Sequence, residues 1–164
     1  MAAQPRSRQA ILTGAKEVVT VVGSYESNMN EIARASQVSR ATLYNHFVDK
    51  DEMMLFLIES ELDRLYLGAK NQPDLASALT YLSIEISQDP ALARLVITDP
   101  GELMHFLVVS DHPLWENALA KIAELVGEGF ASLITHWLTS QMTTPLTPEQ
   151  SREQAEQLAN LIQR

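Results

Sequence analysis

The sequence predicts an all-α protein in which a short helical head precedes a larger helical body, and three observations carry that prediction. Apolar residues recur at three- and four-residue steps through nearly the whole chain, the spacing of one helix face. Helix starts are marked by one device: Asp89-Pro90, Asp99-Pro100 and Thr147-Pro148 each set a capping oxygen before a proline suited to the first helical position. Strand-type alternation is weak, and only 6 glycines interrupt 164 residues.

The first helix is expected over residues 6–23. Ile11, Ala15, Val18 and Val22 step by four, three and four onto one face. Val18-Val-Thr-Val-Val22 has local strand preference, which packing is expected to override because propensity is a weak prior. Gly23 suits the helix end. A second helix over 28–35 opens on Asn28, with Glu31 at capping-box spacing. A turn from Ala35 to Val38 leads to Ser39, the cap of a third helix over 39–46. The fourth spans 50–70. Helices over 74–88, 90–97, 100–110, 113–141 and 148–163 follow, the 113–141 helix opening at His112-Pro113 and the last at Thr147-Pro-Glu-Gln150, another capping-box spacing.

The 113–141 segment carries two stripes. Trp115, Leu119, Ile122, Val126, Phe130, Leu133 and Trp137 are large and apolar; Ala120, Ala123, Gly127 and Ala131 are small. Core packing and a subunit interface both suit them. Gly127 and Gly129 each cost a helix about 1 kcal/mol relative to alanine, so close packing or a bend is expected there. The head is assigned to residues 1–50 and the body to 51–164, joined by the 50–70 helix, with the polar segment 68–74 as the point of separation.

Composition removes several classes of function. There are no cysteines, which excludes disulfides and thiolate chemistry and fits a cytoplasmic location. No apolar run reaches the roughly 18 residues of a membrane span, and Met1 to Arg8 lacks the apolar stretch of a secretory leader. The sequence holds no glycine-rich phosphate loop, no paired catalytic carboxylates and no nucleophile signature, so neither an enzyme nor a cofactor is expected. His105, His112 and His136 invite a metal reading, but Asp111 and Pro113 interrupt the helix that would align the first two, and no metal site is assigned. Net charge is −9, unevenly spread. Residues 1–50 carry six bases against four acids, whereas residues 51–164 carry six bases against 17 acids. An acidic body repels phosphate and leaves only the head to meet it.

The segment Asn28 to Lys50 concentrates the chemistry. Ile32, Ala33, Val38, Leu43 and Phe47 fall on inward positions of two short helices. That leaves Arg40, Ala41, Thr42, Tyr44, Asn45 and His46 on the outer faces of the second. In a helix-turn-helix module the N-terminal turn of that helix enters the major groove. Arg40 suits guanine N7 and O6, Asn45 suits adenine, and Ala41 admits close approach to a thymine methyl. Asn28, Thr42, Tyr44, His46 and Lys50 suit phosphate oxygens, which fix register without reading sequence, and Ser39, the cap of the second helix, completes the set of DNA-binding candidates. At Lys50 the helix start adds free N–H groups.

From Arg8 to Glu52 the chain resembles the TetR family of transcriptional regulators. The family pattern T-x-x-x-I-A-x-x-A-G-V-S-x-x-T-L-Y-x-Y/H-F-x-x-K-E/D is met by Ile32-Ala33, Val38-Ser39, Thr42-Leu43-Tyr44, His46-Phe47 and Lys50-Asp51, after the Gly23 and Tyr25 turn. Asn28 replaces the usual Thr or Ser. Ser36-Gln37 replaces Ala-Gly, which implies a positive φ at Gln37 with a strain of roughly 1 kcal/mol. The resemblance covers a little over a quarter of the chain, and the body is short for the family.

The resemblance implies an N-terminal three-helix DNA-binding domain joined to a helical ligand-binding and dimerisation domain. It implies a homodimer on a double-stranded, pseudo-palindromic operator with half-sites about 34–36 Å apart, most often a repressor released by a small-molecule inducer. Met104, His105, Phe106, Trp115 and Trp137 are candidate pocket residues, apolar with a polar minority, and suit ordinary core packing equally. The alternative, motivated by the acidic body and the substituted turn, is a helical small-molecule or protein-binding module that has lost operator binding.

Overall fold

Helix α1 forms over Ala3–Val22 and ends where the sequence changes handedness, at Gly23 with φ +89 and its N–H on the Val19 carbonyl at 2.9 Å. The computed structural model describes residues 3–101 and 113–164. The described elements continue as α2 (Met29–Ala35), α3 (Arg40–His46), α4 (Lys50–Lys70), α5 (Leu75–Ser87), α6 (Pro90–Thr98), α7 (Pro113–Val126), α8 (Glu128–Thr143) and α9 (Pro148–Ile162). No strand occurs among the described residues, as the helical periodicity predicts. Nor is any helix among them long and apolar enough to cross a membrane. The expected 100–110 helix lies almost wholly outside the described residues.

Packing divides the chain into two units. One is Met1–Glu61 with Pro90–Pro100; the other is Leu62–Asp89 with Gly101–Arg164. The boundary falls within α4, and α6, which the sequence reading placed with the body, packs on α1.

In the first unit Ile11, Leu12 and Ala15 of α1 meet Ile32 and Ala33 of α2, Leu43 of α3, the adjoining Phe47, and Met53 and Leu57 of α4. Burying each large apolar side chain here contributes roughly 1.5–3 kcal/mol. Val19 is buried while Val18 and Val22 are half-buried, so the inward face of α1 is rotated slightly from the expected one. A half-buried Lys16–Glu61 ion pair at 2.7 Å ties α1 to α4. Where α1 crosses the end of α2 there is room only for Gly14: a Cβ there would lie 2.6 Å from the Ser36 backbone nitrogen. Ser36 is itself satisfied, its hydroxyl donating to the Ile32 carbonyl at 2.6 Å.

Gln37 adopts the expected left-handed conformation, φ 55. Gln37→Gly is expected to stabilise the chain by about 0.5–1 kcal/mol, because relieved strain exceeds the added unfolded-state entropy. The denaturant midpoint measures it; an unchanged or lowered midpoint would show that the turn carries no strain.

In the second unit α5 packs against α8 and α9, and α7 against α8. The expected 113–141 helix is broken at Gly127, whose φ is +82. A Cβ at Gly127 or Gly129 would meet nothing within 4 Å. Backbone conformation at Gly127, rather than close packing at either glycine, is therefore what the site demands. The break ends the single apolar stripe: Leu119 and Leu133 are exposed, while Ala131, Ile134 and Leu138 turn inward. A buried polar cluster crosses the helices. Ser83 Oγ lies 2.7 Å from Gln141 Oε1 and 2.8 Å from Ser151 Oγ, and Ser87 Oγ donates to Gln141 Oε1 at 3.0 Å. Satisfied polar groups of this kind favour one helix register. The predicted box at Thr147 and Gln150 is formed.

Candidate nucleic-acid interface

Two short helices are held by caps that the sequence specifies. Asn28 Oδ1 accepts from the N–H groups of Asn30 and Glu31, both at 3.1 Å. The expected return bond from the Glu31 carboxylate is not made, so this cap is one-sided. Ser39 Oγ accepts from Thr42 N at 3.0 Å and lies 2.8 Å from Thr42 Oγ1. Leu43 and Phe47 are fully buried and fix α3 on the core. The opposite face is consequently presented outward.

The predicted residues then separate into two groups, with half-buried Thr42 between them. Arg40, Ala41, Tyr44 and Asn45 are exposed, as are Asn28 and Ser39 at the two caps. Among the described residues, the side chains of Arg40, Tyr44 and Asn45 make no hydrogen bond, so their donors are free for base edges or phosphates. His46 and Lys50 are half-buried and turned into the protein. His46 Nε2 lies 2.8 Å from Ser7 Oγ on α1. Lys50 Nζ donates to the carbonyls of Ser24, Tyr25 and Ser27 at 3.0, 3.2 and 3.2 Å, which engages all three of its protons.

Sequence reading missed what stands opposite Lys50. Asp99, at the end of α6, is buried and accepts from Ser24 N through Oδ2 and from Tyr25 N through Oδ1, each at 2.9 Å. Thr98 Oγ1 adds a 2.5 Å bond to Oδ2. The Gly23–Tyr25 turn is thus gripped by its amides from α6 and by its carbonyls from α4. Gly23 must stay bare, since a Cβ there would lie 2.2 Å from Thr98 Oγ1. Burial alone would raise the Asp99 pKa. The bonds from Thr98, Tyr25 N and Ser24 N, together with the Lys50 charge, outweigh burial and hold the pKa below its ordinary value. Sequence read Asp99 as the cap of a helix beginning at Pro100; both its oxygens are spent on the head. Arg8 was also missed: its guanidinium stacks 3.9 Å from the Phe56 ring centroid and 5.5 Å from that of Phe47, bracing α1 on α3 and α4.

Lys50→Met is expected to weaken operator binding by loosening the turn while leaving the slope of log affinity against log salt unchanged. A slope smaller by about 1 would instead mark direct phosphate neutralisation.

Residues 11–56 match the family model described as bacterial regulatory proteins, tetR family. This segment is of the TetR-family type. Solved structures similar to the chain include the TetR family repressor AlkX from Dietzia sp. strain DQ12-45-1b, implicated in biodegradation of n-alkanes (TM-score 0.67, 19% identity, 95% of each chain covered). GusR of Salmonella enterica aligns at TM-score 0.68 and 20% identity over 99% of this chain and 95% of that one. FadR from Bacillus subtilis, in complex with stearoyl-CoA, aligns at 0.54 and 15% over 94% and 96%. At such identities the likeness speaks to the fold, and it extends through the body as well as the head. No curated protein matches the sequence. The match marks the chain as a transcriptional regulator with a DNA-binding domain of the TetR type.

Of the pocket candidates, Met104, His105 and Phe106 lie outside the described residues, as does His112 of the metal reading. Trp115 and Trp137 are half-buried, and Trp137 Nε1 donates to Gln154 Oε1 at 2.7 Å, an α8–α9 contact. His136 is exposed, its Nδ1 2.7 Å from the Ser132 carbonyl.

Proposed function

We propose that the chain works as a homodimeric repressor whose α3 reads a pseudo-palindromic operator in the cytoplasm and which a small molecule releases. The observation that supports this most is the outer face of α3, where Arg40, Ala41, Tyr44 and Asn45 stand exposed beside two exposed caps while the buried face is fully used by the core. Arg40 contributes a fork for guanine and Asn45 a donor–acceptor pair for adenine; Asn28, Ser39, Thr42 and Tyr44 hold phosphates. His46 and Lys50 act from within, keeping α3 and the turn in place for those contacts.

Regulation by a small molecule draws support from FadR of Bacillus subtilis, solved with stearoyl-CoA. An effector acts by binding one head arrangement better than another. Arg40→Ala is expected to cost about 1–3 kcal/mol on the specific operator and much less on random duplex. Fluorescence anisotropy with both duplexes checks this, and equal losses on the two would remove Arg40 from base reading.

A further inference from the structure

We propose that Arg94 on α6 is the anchor for an oxyanion, the carboxylate or phosphate group of a small effector; this rests on the reading of the chain as an effector-controlled regulator. Residues 51–164 carry six bases, and the other five are accounted for. Arg64 pairs with Glu85 at 2.6 Å and Lys121 with Asp63 at 2.9 Å. Lys70 lies 3.9 Å from Glu124 and donates to Tyr66, while Arg152 and Arg164 are exposed to water. Arg94 differs from all of them. Its side chain is half-buried, and its Nε is enclosed with no hydrogen-bond partner among the described residues.

A guanidinium cannot shed its proton to relieve such a position. An enclosed, unpartnered N–H on a permanent cation is costly and is satisfied best by an anionic oxygen, whose bond is charge-assisted and matches the fork of the guanidinium. The segment around it is rich in acids, yet none of those among the described residues pairs with Arg94. Because the side chain is only half-buried, a small anion can reach the guanidinium fork. The position also has a consequence. The Arg94 carbonyl accepts from Thr98 Oγ1 at 3.0 Å, and that same hydroxyl bonds Asp99, which holds the Ser24 and Tyr25 amides of the head. An anion bound at Arg94 therefore bears on the helix that grips the DNA-binding unit, one turn away.

The test compares wild type with Arg94→Met by thermal melting, in chloride buffer and with inorganic phosphate or decanoate added at matched ionic strength, and by gel shift on the duplex upstream of the gene. We expect at least one anion to raise the wild-type Tm by about 2–4 °C near saturation, with the rise lost in Arg94→Met. The variant should still shift DNA and, without added anion, melt no lower than wild type. A larger response to decanoate identifies the carboxylate, and one to phosphate the phosphate. Equal responses, or none, in the two proteins would overturn the proposal, as would a lowered Tm of the variant in chloride, which would make Arg94 a packing residue. A chain that shifts DNA yet ignores both anions loses only the anchor; one that answers anions through Arg94 yet never shifts DNA keeps the anchor and loses the operator reading.

Discussion

Gly14→Val is expected to abolish operator binding and lower stability by about 3 kcal/mol or more. Its Cβ would lie 2.3 Å from Ser36 Oγ, 2.6 Å from Ser36 N and 2.9 Å from Ser36 Cα. Two of those atoms are backbone, so no rotamer change relieves the clash. α1 and α2 must separate, and the core formed by Ile11, Ala15, Ile32 and Ala33 opens with them. Ser36→Gly in the same chain removes the side chain but leaves the backbone N and Cα in the way, and should rescue little. Circular dichroism melts of the full chain measure the loss; a melt within about 1 °C of wild type would contradict the crossing.

Asp99→Asn is expected to cost about 2–4 kcal/mol. The substitution sets an amide donor against a backbone N–H of Ser24 or Tyr25 and removes the charge facing Lys50, leaving buried donors unsatisfied. The effect carries a pH signature. The folded-state pKa of Asp99 is depressed below the ordinary 3.8. Its contribution is therefore fully present above that value and is lost as pH falls through the lower, folded-state pKa. The stability gap between wild type and Asp99→Asn should stay constant from neutral pH to about pH 5 and narrow below the ordinary value. A gap that persists unchanged through strongly acidic pH would show that the carboxylate's charge is not what holds the turn.

Local physics made the head legible. Asn28 and Ser39 announce their helices, as Thr147 does in the body, because a cap is a contact between near neighbours. Gly23 and Gln37 announce their conformations because a reversal of φ is a property of single residues. The outer face of α3 follows from where Leu43 and Phe47 must point. What escaped is contact across long sequence separations. Asp99 grips Ser24 and Tyr25, more than seventy residues away, and its place before Pro100 offered a local explanation that hid the distant one. Lys50 looked like a free cation because its three carbonyl partners belong to backbone, which any residues could supply. Gly14, an isolated glycine in an apolar helical pattern, was the one available warning of a close crossing. The break at Gly127 was half-legible: two glycines predicted a departure from a straight helix, but the rotation of the buried face beyond it depends on α5 and α7.

The operator reading of α3 is tested most directly by measuring the affinity of the intact chain for the duplex upstream of its own gene, and for random duplex, across a range of salt concentrations, with wild type and Arg40→Ala side by side. The geometry predicts tight, steeply salt-dependent binding that prefers the upstream duplex, with Arg40→Ala erasing most of that preference while keeping the salt slope within about one unit. Binding with no preference between duplexes, or a preference that survives Arg40→Ala intact, would contradict it.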